Sequence, residues 1–209
     1  LALEMLTFTD GTPAAPHSYA EVKFGYVEDE PPAANGHPWV HGTDVTLPGT
    51  DLRLRGVIDR LDLEPDRKFV RVIDYKSGKQ KDHDGAIDGG EELQRTLYTI
   101  AVKQLLGSEY TVEAGLLYAG STELVTLHDP DASVAQLTSA VQEAVRLLEQ
   151  GDVLPGPAVT SDHEETLLAY PAVGTGYYYR VKEAALSQRR QALDALLTGP
   201  AGGGEGVQA

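Results

Sequence analysis

Cysteine is absent from this chain of 209 residues, which removes disulfides and thiolate metal sites together. Aromatic residues are sparse at 7%, with one Trp and one Met. No apolar run approaches the ~18 residues that a membrane-spanning helix needs, and the first residues, LALEMLTFTDG, lack the charged-then-apolar build of a secretory leader. These absences point to an intracellular, cytoplasmic protein with no membrane partner. Positive charge is also scarce: 17 Lys and Arg stand against 32 Asp and Glu, a net charge of −15. Taken over the whole chain, that balance argues against a nucleic-acid partner.

The average conceals a local reversal. Nine of the 17 basic residues lie between Arg53 and Lys81, in company with only five acids, so this segment carries +4 inside an acidic protein. With 41% hydrophobic and 23% charged residues the chain is globular, and its length suits one domain over residues 1–198 with a flexible Gly-rich tail at 199–209. LALEML reads as the end of a helix, so the domain is expected to be a fragment of a longer chain with an upstream helix missing.

Periodicity gives the order of elements. Residues 18–27 read as a strand and 28–44 as a Pro- and Gly-rich loop. Its histidines, His37 and His41, have the i, i+4 spacing of a zinc helix, but Pro38 and Gly42 make them loop residues. Two long strand runs follow at 52–64 and 68–78. A helix is expected over 91–107, with Leu93, Leu97, Ile100 and Leu105 on one stripe and Gly107 as its stop. Strands at 111–120 and 123–129 precede an amphipathic helix at 129–151 that should bury Val134, Leu137, Val141, Val145 and Leu148. A last helix is expected at 181–197.

The register of the central hairpin can be worked out. With Asp66 and Arg67 as the turn, paired positions sum to 133, which sets Val72 opposite Leu61, Asp74 opposite Asp59 and Lys76 opposite Val57. One face then carries Leu61, Leu63, Val70 and Val72, ending in Asp59, Asp74 and Lys76; the other holds Ile58, Phe69, Ile73 and Tyr75. A change of inward parity near Gly56 suggests a bulge there. Two carboxylates directly opposed, with Cβ atoms ~5 Å apart, repel unless a positive group sits between them. Lys76 is one candidate for that group and a divalent metal is the other. A plain surface ion pair between Asp74 and Lys76 is the bland reading, and the apolar stripe that leads to the acids disfavours it. Hard oxygen donors without Cys or an aligned His select Mg or Mn over zinc.

These segments carry a resemblance. GVIDRLDL at 56–63, VIDYKSGK at 72–79 and LQRTLY at 93–98 resemble the RecB-family branch of the PD-(D/E)xK nucleases, as found in RecB, in AddB and in CRISPR-adaptation exonucleases. The likeness covers roughly residues 20–150 and extends to EVKFG at 21–25. It implies an α/β restriction-endonuclease-like core, with a central mixed sheet flanked by helices. By the resemblance Asp59 and Asp74, with the backbone carbonyl of Tyr75, hold one or two Mg or Mn ions, Lys76 assists the chemistry, and Gln94 and Tyr98 form the helix motif beside it. Arg53, Arg55, Arg60, Lys79 and Lys81 would supply sequence-independent phosphate contacts. The implied activity is metal-dependent, exonuclease-type hydrolysis of DNA in recombinational repair, with a helicase module outside this chain. The rival is a non-cleaving DNA-end-binding or scaffold subunit that reuses the fold. Two family features are missing from the sequence. No residue of LALEMLTFTDG supplies the upstream histidine ligand, and no cysteine is present for the iron–sulfur cluster of AddB-type members, so no cluster is expected.

Overall fold

The computed structural model describes residues 15–25, 38–40, 42–79, 87, 92–118 and 124–151. The loop histidines His37 and His41, the helix expected at 181–197 and the tail lie outside the described residues. Among the described residues seven strands and two α-helices follow one another: β1 (His17–Phe24), β2 (Val45–Thr46), β3 (Arg53–Leu54), β4 (Gly56–Glu64), β5 (Phe69–Lys76), α1 (Gln94–Leu106), β6 (Thr111–Tyr118), β7 (Leu124–Thr126) and α2 (Pro130–Glu149). The main sheet has the order β1-β4-β5-β6-β7, and β2 pairs with β3 as a separate ribbon. The β5–β6 pair is parallel and the other pairs of the main sheet are antiparallel, which makes it the mixed sheet the resemblance implied. A parallel pair needs a long crossover, and α1 lies in it.

The hairpin register is the one worked out from the turn. Leu61 faces Val72 and Leu63 faces Val70, around a 3-10 turn at Pro65–Arg67 that closes with Lys68 in the left-handed region at φ 49°. The ladder stops at Arg60 and Ile73, however, so the expected direct pairing of Asp59 with Asp74 does not form. The Asp59 carboxylate instead accepts the Tyr75 N–H at 2.8 Å, and a side chain takes over where the backbone of β4 has peeled away.

The parity change also has a different origin from the bulge expected at Gly56. Inward residues on β4 are Ile58 and then Leu61 and Leu63, so the switch falls at Asp59 and Arg60. On β1 it falls between Tyr19 and Val22, both set against the same core. The β1–β4 ladder runs in one register on both sides of a single skipped rung, Glu21 opposite Asp59, where Glu21 has φ 53°. Both strands thus turn over together, and no extra residue is inserted.

Gly56 is required for another reason. A Cβ there would come within 2.8 Å of the Phe24 ring, which lies across it. Just beyond β1, Gly25 at φ 81° lets the chain pass so close to Leu54 and Arg55 that a Cβ would collide with the Leu54 carbonyl oxygen. Those two contacts bind the end of β1 to the joint between β3 and β4.

The core joins Val22, Phe24, Ile58, Leu61, Leu63, Val70 and Val72 to Tyr98, Ile100, Ala101 and Val102 of α1 and Leu137 of α2. Ile73 and Leu117 are buried on the sheet's other face, so the central strands are covered on both sides as their apolar runs required. The phase of α2 differs at its end: Leu147 is buried and Leu148 is 59% exposed, because the helix seats Ser133, Leu137, Ala140 and Leu147 in one line. Asp129 caps this helix by accepting the Ala132 N–H at 2.9 Å, with Pro130 in its first turn.

Candidate active site

Where β4 parts from β5, the gap is lined by the residues the sequence singled out. Asp74 lies near the end of β5 and is 4% exposed, so its carboxylate must be compensated. Three side chains do this. Gln94 Nε2 donates to Asp74 Oδ1 at 3.0 Å, Tyr98 Oη lies 3.2 Å from the same oxygen, and Lys76 Nζ is 2.7 Å from Oδ2. Gln94 also accepts a hydrogen bond from Lys76 Nζ through Oε1. Its amide orientation follows: the carbonyl faces the ammonium and the NH2 faces the carboxylate, and the reverse would oppose donor to donor.

Gln94 and Tyr98 stand one helical turn apart on α1, which is why both reach the same acid. Tyr98 Oη is also 3.0 Å from the Val57 carbonyl oxygen and 3.3 Å from Gln94 Nε2. Its single proton serves either Asp74 on β5 or Val57 on β4, so the phenol spans the gap between the strands. Burial, reinforced by the Asp74 charge and by Asp59, pushes its pKa far above that of an ordinary tyrosine. Tyr98 therefore remains a neutral donor. Phe24 braces it from behind, with ring centroids 6.0 Å apart and planes at 86°. Gly56, Phe24 and Tyr98 form one stack, and the glycine of GVIDR serves the site through it.

The oxygen donors suit a divalent ion. Asp59 has one oxygen engaged by the Tyr75 N–H, and buried Asp74 Oδ2 receives no well-aligned hydrogen bond, the Lys76 ammonium being its close neighbour. The Tyr75 peptide lies between these two acids. Among the described residues no group of three His, Cys, Asp or Glu side chains assembles. Two carboxylates and a backbone carbonyl are a hard-oxygen set of the kind that holds Mg or Mn with water or phosphate in the remaining positions.

The basic residues separate into two groups. Arg53, Arg55 and Lys79 are exposed, and Lys81 lies outside the described residues. Arg60 is committed elsewhere: its side chain is 12% exposed and paired with buried Asp62. Sequence reasoning missed this pair, although alternation along a strand puts Arg60 and Asp62 on one face. It also missed the start of α1. Glu92 accepts the Arg95 N–H at 3.2 Å and the Arg95 Nε at 2.5 Å, and Arg95 Nη1 reaches the Val125 carbonyl at 3.4 Å. This buried pair ties the first turn of α1, and Gln94 with it, to β7. His17, at the start of β1, is exposed.

A split sheet that presents two acids and a lysine at its open end, with a Gln and a Tyr from the crossing helix, defines a class, and comparison with known proteins agrees. The family model of the PD-(D/E)XK nuclease superfamily matches residues 3–169, and the chain belongs to that superfamily. It is 27% identical over 123 residues to an ATP-dependent helicase/deoxyribonuclease subunit of Thermoanaerobacter sp. (strain X514), and equally to its counterpart in Thermoanaerobacter pseudethanolicus (strain ATCC 33223 / 39E). The matched stretch is 57% of this chain and 10% of each relative, so the chain corresponds to a small part of those proteins.

Proposed function

We propose that this chain is a metal-dependent deoxyribonuclease domain that hydrolyses DNA phosphodiesters in the exonuclease manner. The observation that carries the reading is the convergence of Asp59, Asp74 and Lys76 where β4 and β5 separate, with Asp74 buried and held by Gln94 and Tyr98. Asp59, Asp74 and the Tyr75 carbonyl would hold one or two Mg or Mn ions. A bound ion of that kind supplies Lewis-acid polarisation of the scissile phosphate and eases deprotonation of water. The chain's own residues do the remainder. Lys76 presents a fixed positive charge beside the phosphate, where negative charge grows as water's oxygen bonds to phosphorus and the ester oxygen leaves. Gln94 fixes the direction of that ammonium and of Asp74. Tyr98, held neutral, keeps the strand ends at a set separation and donates without competing as a base. Arg53, Arg55 and Lys79, with Lys81 following, would bind the phosphate backbone, which reconciles the basic segment with the acidic whole.

The similarity to helicase/deoxyribonuclease subunits supports a helicase module as partner, outside this chain; the setting proposed with it is recombinational repair in the cytoplasm. No helix among the described residues is long and apolar enough to cross a membrane. The test is incubation of end-labelled linear DNA with the protein in Mn, in Mg and in EDTA. Shortening in either metal and none in EDTA is expected. DNA left intact under all three conditions, while still bound by the protein, would establish the non-cleaving end-binding role instead.

A further inference from the structure

The first turn of α1 is held by a charge pair that the proposed chemistry does not use. Leu93, at the cap of the helix, supplies no side-chain acceptor. Glu92 takes over that task, its Oε1 accepting the Arg95 N–H at 3.2 Å. A carboxylate there also meets the positive end of the helix. Its Oε2 accepts from Arg95 Nε at 2.5 Å, so both oxygens are engaged. The pair is deeply buried, with Glu92 5% and Arg95 1% exposed. Arg95 Nη1 reaches on to the Val125 carbonyl of β7 at 3.4 Å, and Thr99 Oγ1 donates to the Arg95 carbonyl from the next turn at 2.9 Å.

Gln94 lies in the chain between Glu92 and Arg95. It opens α1, and its amide bonds Lys76 and Asp74 of β5. In the sheet β6 separates β5 from β7, so the first turn is strung between two strands: Gln94 fastens it to one and Arg95 to the other. The first residues of a helix lack the intrahelical N–H bonds of its interior, and a glutamine on a fraying first turn would not hold its amide in one place. A buried ion pair is a poor source of stability, since an apolar pair of similar volume often serves as well or better. What this pair supplies is direction. We infer that Glu92 and Arg95 are positioning residues: by tying the start of α1 to β7 they fix the Gln94 amide, and through it the Lys76 ammonium and the Asp74 carboxylate. This rests on the proposed active site and assigns it the support of its helical half.

The experiment uses the whole chain and reads Gln94 directly. Its side-chain NH2 resonances, identified by their loss in Gln94→Ala, report exchange with water in the metal-free protein. Cleavage of end-labelled DNA in saturating Mn reports kcat and KM. Glu92→Gln combined with Arg95→Met keeps an acceptor for the start of the helix but removes both charges and the arm to Val125. This double variant should melt no lower than the wild type. Its Gln94 NH2 should exchange about tenfold faster, and its kcat should fall about tenfold with KM unchanged. Arg95→Lys keeps a charge beside Glu92 but loses the arm, and should move exchange and kcat in the same directions. In the Gln94→Ala background the double replacement should lower kcat no further, because both changes act through one amide. Wild-type exchange and kcat in the double variant and in Arg95→Lys would overturn the inference. So would an undiminished fall in kcat in the Gln94→Ala background. A wild type that cleaves DNA in no metal would instead remove the nuclease reading, and the exchange rates alone would then decide the tie.

Discussion

Asp74→Asn tests the site in a way that separates its two kinds of stabilisation. In EDTA the asparagine keeps an acceptor for Gln94 and Tyr98, the partners of Asp74 Oδ1 at 3.0 and 3.2 Å. It sets an NH2 where Oδ2 lay 2.7 Å from the Lys76 ammonium. Breaking a fully buried pair costs roughly 3–5 kcal/mol, whereas an exposed pair contributes at most about 1 kcal/mol. The two side chains here are 6% and 31% exposed, and the lysine regains water, so about 1–2 kcal/mol is expected. For a domain of this size that is a fall of roughly 2–8 °C in melting temperature. Repulsion between directly opposed acids would have made the same change neutral or stabilising, but Asp59 and Asp74 do not pair and Asp74 already has three compensating neighbours. In Mn at ~100 times its dissociation constant the wild type should gain about 2.7 kcal/mol, or roughly 5–11 °C, and the variant little of it. Lys76→Ala is the control, since it removes the same ion pair, leaves both carboxylates and should keep the Mn response while losing cleavage. Differential scanning fluorimetry with and without Mn reads all three proteins. A full Mn shift in Asp74→Asn, or none in the wild type up to millimolar metal, would refute the placement of the ion at Asp74.

Other outcomes follow from neighbouring residues. Gly56→Ala forces the Phe24 ring from the place where a Cβ would meet it at 2.8 Å. It should cost about 1–3 kcal/mol in denaturant unfolding and reduce cleavage through Tyr98, and Phe24→Leu in the same chain should recover stability but not activity. Because burial and the Asp74 charge raise the pKa of Tyr98 in the fold, its neutral form is favoured there, and the resulting stability is complete below the unfolded value near ~10 and is lost as pH rises above it. Thermal melts from pH 8 to 11 should therefore decline more steeply for the wild type than for Tyr98→Phe, and equal slopes would contradict the burial of the phenol. Arg53→Gln and Arg55→Gln should each lower the salt slope of DNA binding by about one with no change in the Mn-induced melting shift.

What the sequence determined alone was local. The sum-of-133 register followed from turn length and alternation, because a one-residue slip would have sent Leu61, Leu63, Val70 and Val72 to the wrong face. The candidate residues Asp59, Asp74, Lys76, Gln94 and Tyr98 were legible because an acid at the end of an apolar stripe and an i, i+4 pair on a helix are departures from what packing needs. The departure of β4 from β5 at Asp59, the overturning of β1 and β4 together at Glu21 and the recruitment of Arg60 were set by tertiary structure alone. Each depends on contacts among β1, β4 and β5 that cross the sheet: Phe24 lying over Gly56, Ser18 reaching Asp62, and the Asp59 carboxylate taking the Tyr75 N–H. Charge patterning assigned Arg60 to the phosphate-binding group because a sequence records that a side chain is cationic. Whether it meets water, phosphate or a buried carboxylate is decided by which residues the fold places within reach of its fork, and for Arg60 that partner is Asp62.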